Sequence, residues 1–166
     1  MVSETVEVQP LVEFTNIKCD AVDPNFCKFE YCLLKSVNRT YKYFMVKLNL
    51  YKTPLTKAKV NFAIYKFANG YKPFLYNITV DACKFLQNPK SNPVTNYVYG
   101  FIKDFSNINH SCPYNDDFVV DKITTEFFNQ RVKYLLPFPE GKYLFQMNWM
   151  PYGIMRAVFK IYIILS

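Results

Sequence analysis

Apolar and polar residues alternate with period two along much of this chain. That alternation predicts strands near 12–18, 26–36, 40–51, 58–67, 73–80, 117–123, 129–135, 142–150 and 154–165. Phe44, Val46, Leu48 and Leu50 form one apolar face, and Val60, Phe62 and Ile64 form another. Tyr143, Phe145, Met147 and Trp149 alternate with Leu144, Gln146 and Asn148. Within FLYNIT, Phe74, Tyr76 and Ile78 share one side of a strand while Leu75, Asn77 and Thr79 share the other. An Asn69-Gly70 turn precedes that strand, and a short helix opens at Cys83 after it. Many short strands at this spacing predict an all-β, immunoglobulin-like antiparallel sandwich.

One segment departs from period two. Near 93–109, Val94, Val98, Phe101, Phe105 and Ile108 recur at spacings of four and three, which is the stripe of a helix. Pro93 suits its first turn, and Asn92 suits its cap. Such a helix packs over an open end of the sandwich, where it can serve as a lid.

A length of 166 residues sets one domain, placed here at 11–166 behind an N-terminal extension at 1–10. Sixteen Phe and 14 Tyr against 4 Gly favour pleated structure and a core rich in rings. The formal charge of +7 comes from dispersed lysines, as in Tyr41-Lys42-Tyr43, and fits a solvated outer strand face. No arginine-rich cluster points to nucleic acid, and no apolar run is long enough for a transmembrane helix. The first residues, MVSETVEVQPLVEF, lack the pattern of a signal peptide, so an extracellular reading requires a leader lost or replaced at this end.

There are five cysteines: Cys19, Cys27, Cys32, Cys83 and Cys112. Any four allow three connectivities. A Cys83–Cys112 bridge would staple the helical segment to the sheet, and Cys19–Cys32 would join the first two strands. Cys27 lies an odd number of residues from Cys32, so in a regular strand the two face opposite ways, leaving Cys27 as a buried thiol. Asn38, Asn77 and Asn109 each begin an N-x-S/T sequon, and Asn77 falls on the outward face of its strand. Cysteines together with sequons point to an oxidising, extracellular setting.

The chemistry-bearing motifs are few. No nucleophile elbow, dinucleotide fingerprint or P-loop is present, His110 is the single imidazole, and Asp116, Asp117 and Asp121 match no calcium loop. We therefore expect no enzyme, no metal site and no cofactor.

FTNIKC at 14–19, EYCLLKSVNRTYKY at 30–43, GYKPFLYNITVDACKFL at 70–86, NHSCPY at 109–114 and LPFPEGKY at 136–143 carry a resemblance. Together they resemble a large insect family of secreted proteins of unknown function, some of them chemosensory. That family is similar to the lipid-recognition sandwiches typified by the Toll-receptor co-receptor, the lysosomal sterol-transfer protein and the ganglioside activator. The resemblance implies two sheets splayed around an acyl chain, sterol or similar ligand. It also implies that Cys19, Cys32, Cys83 and Cys112 are the family cysteines, with Cys27 outside the pattern.

The expectation is thus a secreted, non-enzymatic carrier or sensor of a hydrophobic small molecule or lipid. The expected cavity residues are Phe44, Val46, Leu48, Phe62, Ile64, Phe74, Tyr76, Phe145, Met147, Trp149, Phe159 and Ile161. The alternative is a solid sandwich that binds a receptor or other secreted protein through its basic face.

Overall fold

The computed structural model describes residues 11–39, 41–133 and 138–166. The expected extension at 1–10, the start of the 40–51 strand at Thr40, and positions 134–137 lie outside the described residues. The strands are β1 (Val12–Asp20), β2 (Cys27–Ser36), β3 (Lys42–Leu50), β4 (Ala58–Phe67), β5 (Tyr71–Asp81), β6 (Phe118–Thr124), β7 (Gly141–Pro151) and β8 (Ala157–Leu165). They form a five-stranded sheet in the order β1-β8-β7-β4-β5 and a three-stranded sheet in the order β2-β3-β6. Every pairing within them is antiparallel. The protein is therefore an all-β sandwich.

Rings join the two layers. Phe14 on β1 meets Phe44 on β3 at 5.3 Å, Phe44 meets Phe159 on β8 at 5.7 Å, and Phe118 on β6 meets Trp149 on β7 at 5.1 Å. Edge-on and tilted contacts at these distances suit the quadrupoles of the rings. At one end of the interior lie Phe14, Ile64, Tyr143, Phe145 and Ile161; at the other lie Phe26, Leu55, Tyr114 and Trp149.

Bulges correct the parity expected for Cys27. The β2–β3 register shifts between Phe29 and Tyr31, so Cys27, Phe29, Cys32 and Leu34 stand opposite Leu50, Leu48, Val46 and Phe44. Those four β3 residues share one face, so Cys27 and Cys32 both point inward. An odd separation reverses the face only in a regular strand, and the extra residue cancels the reversal.

Two helical expectations also change. The strand expected at 129–135 is instead the end of a helix, α3 (Thr125–Lys133), with 134–135 outside the described residues. Thr124 Oγ1 accepts from the Phe127 amide at 3.1 Å, and Phe128 and Val132 bury at helical spacing. The helix near 93–109 is shorter than expected. It comprises α2 (Pro93–Tyr99), capped by Asn92 accepting from the Thr95 amide at 3.2 Å, then a 3-10 turn at Lys103–Phe105. Beyond that turn the chain extends, and Ser106 bridges to Val120 on β6. A third helix, α1 (Ala82–Gln87), starts at the end of β5, where Asp81 accepts from the Lys84 amide at 3.1 Å. Among the described residues no helix is long and apolar enough to cross a membrane.

Candidate functional site

The two sheets do not meet completely. At the end where β4 and β8 begin, a cavity remains between them, about 220 Å³ of it open to the centres of water-sized molecules. The register of the five-stranded sheet explains its position. Two ranks of side chains border it: Val60–Trp149–Ala157 and Phe62–Met147–Phe159. The next rank, Ile64–Phe145–Ile161, does not. There the space is filled from α3, with the Phe128 ring 5.3 Å from Phe145, 5.3 Å from Phe14 and 4.7 Å from Phe101.

The opposite wall comes from Phe29, Phe44, Val46 and Leu48 with Phe118 and Val120 of β6. The segment from Ala82 to Tyr114 closes the third side with Phe85, Leu86, Val98, Tyr99, Ile102 and Ile108. That lid is braced covalently, because Cys83 at its start is bonded to Cys112 near its end. The second bridge, Cys19–Cys32, ties β1 to β2 across the sandwich.

Polar groups are sparse on this surface. Tyr114 Oη lies 2.9 Å from the Ile108 and His110 carbonyls and shares its proton between them. The Tyr99 hydroxyl donates to Asn109 Oδ1 at 3.2 Å. Burial pushes both phenols above their ordinary range, so they stay neutral and serve the lid itself. The third group, Thr95, is 8% exposed, and its Oγ1 has no hydrogen-bond partner among the described residues.

Of the expected cavity residues, Phe44, Val46, Leu48, Phe62, Met147, Trp149 and Phe159 border the cavity. Ile64, Phe74, Tyr76, Phe145 and Ile161 do not; they pack in the filled end of the core. The lid residues, β6, and Phe29, Ala58, Val60, Ile78, Val80 and Ala157 also border the cavity and lie outside the expected set. Phe118 and Val120 were accessible to the same period-two argument, whereas Tyr99 and Ile102 lie off the helical stripe.

Of the glycosylation candidates, Asn77 is exposed and its Oδ1 accepts from Asn61 at 2.8 Å on the outer face of β4–β5. Asn109 is exposed beside the lid, and Asn38 is exposed in the β2–β3 connection, where its Oδ1 accepts from the Tyr41 amide at 2.8 Å. Cys27 is unpaired and fully buried, and its thiol is pushed up to about 11, chiefly by desolvation and further by Asp23. It sits outside the cavity wall.

A second, open cleft of about 480 Å³ lies on the other face of α2, between that helix and α3. Lys90, Lys103 and Arg131 border it with Asp104. Arg131 stacks 4.7 Å over Tyr97 and fits because residue 100 is glycine; a Cβ there would lie 2.1 Å from its Nη2.

These features define a disulfide-braced β-sandwich with an apolar internal cavity under a helical lid. The chain belongs to the DUF1091 family, proteins of unknown function, whose model matches residues 60–145, just over half of its length. The matched span runs from β4 through the lid and α3 into β7, and so includes most of the cavity. No curated protein matches the chain.

Proposed function

We propose that this protein is a secreted, non-enzymatic carrier or sensor of a small hydrophobic ligand held between the sheets. The observation that carries the reading is the cavity itself, apolar on all sides and larger than the roughly 150 Å³ apolar void that accepts benzene in an engineered protein. Burial of ligand CH₂ groups, about 0.8 kcal/mol each, supplies the driving force. Two disulfides and the exposed Asn77 sequon support an extracellular setting. The kinship to lipid-recognition sandwiches, and to insect chemosensory proteins among them, belongs to this proposal. It rests on the motifs at 14–19, 30–43, 70–86, 109–114 and 136–143, and a sandwich with a cavity is compatible with it.

The test is expression of the chain behind a secretion leader, followed by native mass spectrometry and solvent extraction. The reading expects a stoichiometric apolar adduct, or uptake of one on exposure to lipid. A clean apo mass that takes up no lipid and no fluorescent fatty probe contradicts it.

An exposed aromatic patch favours the alternative of a protein-binding surface. Phe67 and Tyr71 touch at 5.3 Å on the outer face while 46% and 38% exposed, and Lys142 lies 5.6 Å over Phe67. Under that reading, F67S with Y71S abolishes partner capture in protein that remains folded.

A further inference from the structure

The cavity wall constrains the chemistry of its occupant. Among the described residues that border it, none is Asp, Glu, Lys, Arg or His, and its two tyrosine hydroxyls are already engaged within the lid, Tyr114 by backbone carbonyls and Tyr99 by Asn109 Oδ1. An ionised carboxylate or phosphate held in this wall would be desolvated without a partner, and burying an unpaired charge is far costlier than burying a neutral polar group. A neutral chain meets no such penalty.

One polar atom is left over. Thr95 borders the cavity from α2, as do Val98 and Tyr99. Its Oγ1 is covered from bulk solvent and from the cavity alike and is bonded to nothing among the described residues. Buried polar atoms are paired in the great majority of cases, so each exception calls for an explanation; Ser106 Oγ and Arg131 Nε are further exceptions, but neither residue borders this cavity. Threonine in a helix populates two χ1 rotamers, so recognition by Thr95 requires the rotation that brings its hydroxyl to the cavity surface.

We infer that the cavity takes a compact neutral hydrocarbon bearing one hydroxyl or carbonyl, with Thr95 Oγ1 as the group that recognises that oxygen. The inference rests on the carrier reading and narrows it: ionised fatty acids and phospholipids are disfavoured, and neutral alcohols, aldehydes or ketones are preferred. Selectivity between an alcohol and an alkane of equal length comes from one hydrogen bond, which corresponds to a factor of roughly 3 to 10. Selectivity against the carboxylate comes from desolvation and is larger.

The experiment uses the disulfide-bonded chain and the fluorescence of Trp149, its single tryptophan and a cavity residue. Decane, 1-decanol and decanoate are titrated at pH 7.4 into wild type, T95V and T95S. Expected is 1-decanol tightest, decane roughly 3- to 10-fold weaker, and decanoate weaker than 1-decanol by at least tenfold. T95V, which keeps the shape but not the hydroxyl, abolishes the advantage of 1-decanol over decane; T95S retains it. Decanoate binding as tightly as 1-decanol overturns the inference while leaving the carrier reading intact. So does a T95V variant that still prefers the alcohol. If none of the three ligands perturbs Trp149, both the inference and the carrier reading fall.

Discussion

Tyr97 and Arg131 hold each other through their backbones: the Tyr97 hydroxyl donates to the Arg131 carbonyl, and Arg131 Nη2 donates to the Tyr97 carbonyl at 2.6 Å. This reciprocal pair latches the lid helix α2 to α3, the helix that also plugs the filled end of the core. Gly100 makes room for the latch in an ordinary helical conformation, with φ −61°. Alanine at 100 therefore introduces no backbone strain and simply displaces the guanidinium, the mobile end of a long side chain. We expect G100A to cost about 1 kcal/mol, the worth of the lost hydrogen bond, although alanine is the better helix former. Hydrogen exchange should show lower protection over 93–105 and unchanged protection in β7 and β8.

Phe62 and Phe145 differ in what lies beside them. Phe145 is packed by Phe128 and Phe101, so F145A opens a void in a filled region and should cost about 3–5 kcal/mol in urea unfolding. Phe62 already borders empty space on one side. F62A should cost less than F145A and alter ligand affinity in protein that remains folded. Equal destabilisation with unchanged affinity would remove Phe62 from the site.

The two disulfides should separate by function. In the chain-entropy model, removing Cys83–Cys112, which spans 29 residues, costs roughly 3–4 kcal/mol, and removing Cys19–Cys32, which spans 13, costs roughly 3 kcal/mol. The stabilities are therefore similar. Ligand release should nevertheless accelerate in C83A/C112A and not in C19A/C32A, because only the first pair braces the lid. Stopped-flow dilution of ligand-loaded protein measures this directly.

Cys27 gives a pH dependence of known sign. Its thiol titrates near 9.0 when free and is pushed up to about 11 in the fold, because burial disfavours the thiolate. The unfolded chain then loses its proton first, so this contribution is complete below about pH 9 and is lost as pH rises through about 11. C27A should flatten that alkaline decline. A thiol reagent at pH 8 should label the native protein far more slowly than the urea-unfolded chain.

Why the sequence showed the sandwich but misplaced part of the cavity has one physical origin. Period-two alternation identifies which side chains face inward, and Phe62, Met147, Phe159, Ile64, Phe145 and Ile161 all do. It does not say what stands opposite them. That depends on α3, whose second half, from 129 onward, falls within the strand expected at 129–135. Once it is a helix, Phe128 reaches the rank of Phe145 and closes that end, while neither Phe127 nor Phe128 makes a ring contact with the rank of Met147. Bulges hid the facing of Cys27 in the same way, since a single inserted residue leaves no mark in a hydrophobic pattern.

The most direct measurement is Trp149 fluorescence on titration with 1-decanol, comparing wild type with A58L/A157L. Ala58 and Ala157 are small residues on the cavity wall, and leucine at both fills space beside Trp149. The account predicts a saturable one-to-one change in wild type and none in the filled variant, which should be as stable as wild type or up to about 2 kcal/mol more stable. An unresponsive Trp149 in wild type, or an equal response in a folded A58L/A157L, would contradict a ligand-binding interior.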